Sequence, residues 1–462
     1  MKTYTKRIAF MISDQHLIPH GGLGSFAKCF TEMCTRLNWK VDLILDKKPS
    51  GDFYNTLLEL GAGTFYPLDK LEYDEHLGTY AFSDSINFEQ IINFRKSIIE
   101  SFRTNSYDMI LCNTQEAMTA VYALNLGEYI PIVFYTHQPS AVTRERDSRD
   151  VFLQSYHDFY NKHFEFPNIV VGTHSERNKK RLLGYGAHNV EVLPTPMSER
   201  ELLLPSKEER TGLLYIGRWE PRKNPEAFLK IAAETKLPVR IMTNALGKKK
   251  FEKELLRLVK ENPKDKDSND VNVYSKDFVI KTEIYGKEKA DFIKSCKVHF
   301  NTAYSESWSF VFFECLAQTH CVILEDQDWS DNFDSKYYHT VKLKDAAKKI
   351  LELHEKPVPT EQLEYIKSID NQADNAWYNF VNNFKGKHSD SNAAKINKET
   401  IVKHEDFIKK LTRTYLAQED IESVLGNRHK FKVIYTDNNT YYSKDENFVP
   451  NEEEEILLEF GR

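Results

Sequence analysis

Two kinds of segment alternate along residues 1–200. Short runs apolar on both faces recur at 7–13 (RIAFMIS), 40–46 (KVDLILD), 108–113 (DMILCN), 131–137 (PIVFYTH), 168–173 (NIVVGT) and 190–195 (VEVLPT). They are rich in Val and Ile and bounded by polar or turn residues, which suits strands of a parallel sheet covered on both sides. Helix-period stretches lie between them. In 87–104, Phe88, Ile91, Ile92, Ile98, Ile99 and Phe102 fall at helical spacing. Alternation of this kind predicts a doubly wound α/β domain.

Residues 194–211 break the pattern with Pro194, Pro196 and Pro205 and a charged patch, and read as a linker. The alternation then restarts, with strands expected at 211–218, 239–243, 271–274, 282–286, 297–304 and 320–326. A helix with Trp377, Phe380, Val381 and Phe384 on one face is expected over 371–385, followed by a polar stretch, a basic helix near 401–417 and a hairpin at 431–443 turning at Asp437, Asn438 and Asn439. The expected domains are 1–200, 208–370, a connecting helix at 371–386 and an extension at 387–462. Two α/β domains joined by a linker leave a cleft, and open α/β sheets bind ligands at the carboxyl ends of their strands.

Composition narrows the partners. The 462 residues are 40% hydrophobic and 29% charged, with a net charge of −6, which argues against nucleic-acid binding by bulk charge but leaves room for a local basic cleft. No apolar stretch reaches the ~18 residues of a membrane span, and Asp14 interrupts the first apolar run, so the expectation is a cytoplasmic protein without integral membrane association. The six cysteines form no CxxC pair and read as buried free thiols in a reducing compartment.

Three segments carry candidate chemistry. After the first strand, His20, Gly21, Gly22, Leu23 and Gly24 lead into a helix expected near Ser25. Such glycines let backbone approach an anion at a helix N-terminus, although a plain tight turn reads equally well. In IGRWEPRKNP, Arg218 ends a strand and Lys223 precedes a helix, a pair of cations able to clamp a diphosphate or simply to be surface charge. In ESWSFVFFE, Glu306 stands at a strand end, Ser309 can cap a helix and leave the Phe310 and Val311 N–H groups to a phosphate, and Glu314 lies about one turn in.

Taken together over residues 1–385, these segments resemble glycosyltransferase family four, whose members have the GT-B fold: two Rossmann-like domains facing across a cleft, with a last helix crossing back to the first. The GR-x4-K segment is matched by Gly217, Arg218 and Lys223, and the E-x7-E motif by Glu306 and Glu314; Ser307, Trp308 and Ser309 stand where the family usually has glycines around an aromatic residue. The resemblance implies a retaining enzyme with a nucleotide-diphosphate-sugar donor, UDP-sugar foremost, and no required cofactor or metal. It implies that Gly22 and Gly24 contact the diphosphate or sugar, Arg218 and Lys223 hold the departing phosphates, Glu306 binds sugar hydroxyls, Glu314 the ribose, and Phe310 and Val311 offer N–H groups. His137, closing the run YTH, would reach the donor sugar. Asp326 and Asp328 spell DxD but read as a capping loop.

For the acceptor, Arg144, Arg146 and Arg149 follow His137, and Arg177, Lys179, Lys180 and Arg181 follow the next strand. They form a candidate basic strip for a phosphate-bearing acceptor, or a solvated face, since acidic residues are interleaved. The segment YxHxxS with following arginines is similar to one in phage enzymes that glycosylate 5-hydroxymethylcytosine, implying duplex DNA as acceptor in a host cytoplasm. A cytoplasmic enzyme for cell-surface polysaccharide or lipid-linked precursors is the alternative, and a nucleotide-sugar-binding scaffold without turnover is the reading from another class.

Overall fold

In the computed structural model the described residues are 4–18, 22–49, 51–67, 88–122, 130–137, 169–184, 187, 189–206, 209–261, 278–282, 284–304, 306, 308–325, 328–384, 432–436 and 439–443. The apolar runs become two parallel sheets. The first has seven strands in the order β3-β2-β1-β4-β5-β6-β7: β1 (Lys6–Met11), β2 (Trp39–Ile44), β3 (Gly63–Phe65), β4 (Met109–Cys112), β5 (Ile132–Tyr135), β6 (Ile169–Thr173) and β7 (Val190–Val192). The second has six in the order β10-β9-β8-β11-β12-β13: β8 (Leu213–Ile216), β9 (Val239–Thr243), β10 (Phe278–Thr282), β11 (Val298–Asn301), β12 (His320–Leu324) and β13 (Tyr338–Val341). Central strands β4, β5, β6, β11 and β12 are buried at every residue, as continuous apolar runs require, whereas edge strands β3 and β10 are only half-buried or exposed.

Helices cover the sheets: α1 (Gly22–Arg36), α2 (Phe53–Glu59), α3 (Phe88–Thr104), α4 (Gln115–Tyr122) and α5 (Glu176–Gly184) on the first, and α6 (Pro225–Thr235), α7 (Ala245–Glu261), α8 (Gly286–Lys294), α9 (Phe310–Leu316) and α10 (Leu343–His354) on the second. A final helix, α11 (Thr360–Asn383), serves both domains: Leu363 and Ile366 join the second core, and Trp377 and Val381 the first. Trp377 also donates its indole N–H to the Pro194 carbonyl at 3.0 Å.

Four expectations are corrected. α1 starts at Gly22, not near Ser25. The segment expected as a strand at 282–286 divides: Thr282 ends β10, and Gly286, at φ +61°, opens α8. The helix expected from Asn371 begins at Thr360. The linker is no loose tether: Thr195, Met197, Ser198, Glu199 and Leu202 are buried, and the Met197 N–H donates to Asp370 of α11 at 2.8 Å. The hairpin is present as β14 (Lys432–Thr436) and β15 (Asn439–Ser443), paired antiparallel. The strand expected at 271–274, the basic helix at 401–417, the Asp437–Asn438 turn and most of 387–462 lie outside the described residues.

Candidate active site

Each sheet reverses its winding between two central strands, β1 and β4 in the first and β8 and β11 in the second. The loops leaving those strands frame the crevice where open α/β sheets hold ligands. After β1 the turn 13–16 is braced by Asp46, whose carboxylate accepts from Ser13 Oγ and the Asp14 N–H, each at 2.9 Å. The chain then folds back over the first turn of α1. A Cβ on Gly24 would stand 2.0 Å from the Ile18 carbonyl oxygen, so this closure requires glycine. A Cβ at Gly22 would meet nothing within 4 Å. The N-terminus of α1, with its orphan N–H groups and positive dipole end, therefore lies beside open space at the carboxyl edge of the sheet.

Two histidines line the same edge. His137 follows β5, and its Nε2 shares a short hydrogen bond with Oδ1 of Asn113, which follows β4. His174 follows β6, with Nδ1 2.5 Å from Thr195 Oγ1 and 3.0 Å from the Tyr135 hydroxyl. Their rings lie 5.3 Å apart. Burial pushes His174 down to about 3. Burial, and then the neighbouring His174 and His16, hold His137 well below the usual imidazole range. Both rings are therefore neutral at pH 7 and weakly basic.

The second domain brings charge. Past β8, the tight helical turn Pro221–Lys223 ends at Asn224, in left-handed backbone at φ 48°, and Pro225 opens α6. The loop after β11 is stitched to that turn: Thr302 Oγ1 donates to the Lys223 and Asn224 carbonyls at 2.9 and 2.8 Å, and the Tyr304 N–H to the Arg222 carbonyl at 2.9 Å. This stitching delivers Glu306 to the cations. Its Oε1 accepts a short hydrogen bond from Lys223, and its Oε2 one from Arg222 at 3.1 Å. Arg218 makes no ion pair with Glu306 among the described residues: its side chain is 57% exposed and its Nε lies 3.0 Å from Glu220, whose other oxygen is 3.6 Å from Arg222. Arg222 is thus a site residue the sequence reading passed over; its one signal was adjacency to Lys223.

Ser309 caps α9 as expected, accepting from the Phe312 N–H at 3.2 Å. The Phe310 N–H, expected to be open to a phosphate, instead donates to the Trp308 carbonyl at 3.1 Å. The Trp308 ring stacks on His174, centroids 5.6 Å apart and 11° between planes, so a residue of the second domain closes on the histidine pair of the first. Glu314 is fully buried. Its Oε1 accepts from Ser198 Oγ in a short hydrogen bond and from Lys289 at 2.5 Å, while Oε2 has no hydrogen-bond partner among the described residues. Of the basic strip, Arg177, Lys179, Lys180 and Arg181 lie on α5, directly after His174; Arg144, Arg146 and Arg149 lie outside the described residues. Asp328 opens a short helical turn, and Asp326 lies outside the described residues. All six cysteines are buried and free.

Solved structures share this architecture. Sucrose-phosphate synthase from Thermosynechococcus elongatus aligns at a TM-score of 0.58 with 15% identity, over 82% of this chain and 100% of that one. TarM aligns at 0.58 with 11% identity, over 82% and 99%. HepE from Anabaena, solved with UDP and glucose, aligns at 0.53 with 14% identity, over 80% and 95%. The fold is GT-B.

At such identities the likeness is one of fold. No protein-family model and no curated protein matches the sequence. The two domains meet where Trp308 and Phe310 of the second contact His174 of the first; the α1 N-terminus and the neutral histidines belong to the first domain, and Lys223, Arg222 and Glu306 to the second. Among the described residues no group of His, Cys, Asp or Glu is arranged to hold a metal ion, and no helix is long and apolar enough to cross a membrane.

Proposed function

We propose that the chain is a glycosyltransferase that moves a sugar from a nucleotide-diphosphate-sugar, UDP-sugar foremost, to a hydroxyl acceptor with retention at the anomeric carbon. The observation that carries this reading is Glu306 held between Lys223 and Arg222 at the second sheet's winding reversal. HepE, of the same fold, is solved with UDP-glucose, and TarM of S. aureus with UDP and α-GlcNAc-glycerol, which supports a nucleotide-sugar donor here.

In this reading the donor diphosphate sits between Lys223, Arg222 and Arg218 on one side and Gly22, Gly24 and the α1 N-terminus on the other. The cations act most strongly as the bond from the anomeric carbon to phosphate oxygen breaks, because that is when the diphosphate gains charge. Glu306 orients sugar hydroxyls, and His137 reaches the sugar from the opposite wall. The first turn of α9, at Val311, serves the nucleotide; the Phe310 N–H is taken by the Trp308 carbonyl, and a ribose contact at Glu314 requires its buried Oε2 to be uncovered when the nucleotide binds. The acceptor oxygen attacks on the face the diphosphate leaves, and its proton passes to the departing phosphate oxygen. The depressed basicity of His137 and His174 favours this route over deprotonation by a histidine, and same-face attack retains configuration.

For the acceptor we take 5-hydroxymethylcytosine in duplex DNA. Lys179 and the exposed Lys180 on α5, shortly after His174, support it, and Arg144, Arg146 and Arg149 would extend the strip along the phosphates; Arg177 and Arg181 of the same helix have guanidinium nitrogens turned into the protein and would not contribute. The modified base would leave the stack to present its hydroxymethyl oxygen, at a cost of a few kcal/mol. The test incubates the protein with a panel of nucleotide-sugars and DNA containing 5-hydroxymethylcytosine, then digests to nucleosides and looks for added sugar mass. Transfer to a polysaccharide or lipid-linked precursor but to no nucleoside would move the acceptor there. Absence of any nucleotide release from any donor would leave a binding scaffold.

A further inference from the structure

A buried polar chain joins the two domains. Lys28, on α1, points its Nζ at the Ser198 carbonyl and Glu199 Oε2, both at 2.7 Å, with Glu32 at 3.5 Å. Burial works against the Lys28 charge, and Glu199 and Glu32 together overcome it, so its pKa is raised. The other oxygen of Glu199 accepts the Gly286 N–H at the start of α8, at 3.1 Å. Ser198 Oγ reaches Glu314 on α9, where Lys289 of α8 completes the set. Two consecutive linker residues thus hold α1 of the first domain against α8 and α9 of the second.

Such a network is a poor way to gain stability, because well-packed apolar groups of the same volume do as well or better. What it supplies is direction: each bond fixes an angle that apolar contact leaves loose. α1 is also the helix whose first turn carries Gly22 and Gly24. At 1.5 Å per residue, Lys28 lies roughly 9 Å along the axis from Gly22, so a turn of ~10° about Lys28 moves that end by ~1.6 Å. Misplacement on the order of 1 Å at a reacting centre costs up to about 100-fold in rate.

We propose that Lys28 is a positioning residue: through Ser198 and Glu199 it sets the angle between the domains, and with it the distance from the α1 N-terminus to Glu306. The kinetic part rests on the glycosyltransferase reading; the structural part does not. The test uses the full chain with Lys28→Met, which keeps the volume and removes the charge, and Glu199→Gln, which keeps the shape and weakens the same link. Hydrogen exchange is expected to rise at least tenfold at Gly286 and along 197–204 in both variants, although among the described residues no hydrogen bond or ion pair joins Lys28 to α8. A rise confined to α1 would overturn the proposal. In kinetics, kcat with the best nucleotide-sugar is expected to fall tenfold or more, while the Kd for free UDP changes far less, because in the proposed reading the second domain supplies the cations and the nucleotide contacts and the first only a helix N-terminus. An unchanged kcat, or a kcat loss matched by the Kd, would also overturn it. If the wild-type chain turns over no nucleotide-sugar, the functional reading fails, and the exchange arm still decides the role of Lys28.

Discussion

Glu314→Ala removes a carboxylate with no exposed surface and leaves the Lys289 ammonium, itself 7% exposed, facing an apolar void. Among the described residues Lys289 has no other ion-pair partner. Breaking a buried pair from one side costs about 3–5 kcal/mol. For a domain of ~150–250 residues each kcal/mol shifts Tm by about 2–4 °C, so a fall of roughly 10 °C is expected. The matched control, Glu314→Leu with Lys289→Met, removes both charges and should recover most of that loss. Scanning calorimetry of the three chains decides the matter. A loss under ~1 kcal/mol in the single variant, or a double variant no better than the single, would refute the buried-pair reasoning. Nucleotide binding is a separate question, read on Glu314→Gln, which keeps an acceptor for Ser198 and Lys289. Loss of one hydrogen bond to a charged group is worth about 1.5–3 kcal/mol, or roughly 10- to 150-fold in Kd. Calorimetric titration with UDP showing no change would remove the ribose role from Glu314.

Lys223→Ala and Arg222→Ala are each expected to lower kcat about tenfold or more with little change in KM, whereas the half-exposed Arg218 should matter less; steady-state kinetics with equal losses at all three would contradict the geometry. The histidines make stability pH-dependent. His174 at about 3 and His299 at about 4 bind protons later than the unfolded chain, whose histidines titrate near 6.5. Stability is therefore intact above about pH 6.5 and falls as pH drops below it, by about 1.4 kcal/mol per unit for each histidine. A urea midpoint that is flat from pH 7 to 5 would disprove this. Excess EDTA is expected to leave turnover unchanged, because Lys223 and Arg222 stand where the leaving charge develops; activity lost to chelator and restored by a divalent cation would place a metal on the diphosphate.

Most central strands were legible because burial on both faces demands continuous apolar runs, and β1, β4, β5, β6 and β12 have them; β11 buries His299 and Asn301 between Val298 and Phe300. Three edges were not legible. β3 is three residues long and half-buried, and β13 sets His339 and Thr340 side by side between buried Tyr338 and Val341, so neither displays a run. β10, partly exposed along its length, was passed over in favour of a strand at 282–286 suggested by Ile284 and Tyr285, where the glycine at 286 is already turning the chain into α8. The early half of α11 was missed for another reason. Its two halves bury different faces, Leu363 and Ile366 against one domain and Trp377 and Val381 against the other, so no single stripe runs its length.

The candidate site divides the same way. The close approach at Gly24 and the cap at Ser309 were legible because each acts within its own turn or helix end, whereas the pairing of Lys223 with Glu306 joins residues far apart in the chain. Arg222 was passed over because only the turn Pro221–Lys223 decides which of the neighbouring cations faces Glu306. The stacking of Trp308 on His174 and the link from Lys28 to Glu314 join residues far apart in the chain, and local pattern carries no trace of either. Yet the fold makes such contacts necessary. Two sheets wound in the same order present two equivalent crevices, and facing them across a cleft leaves the chemistry to be set by what each loop carries. The first domain offers neutral imidazoles and a helix N-terminus, which can orient a neutral sugar but hold little charge. The second offers two cations on a carboxylate, which suits a group that gains charge as it departs. Under the proposed function, that asymmetry would set the diphosphate against the cations of the second domain and the acceptor against the first, which would make the angle between them a catalytic variable in its own right.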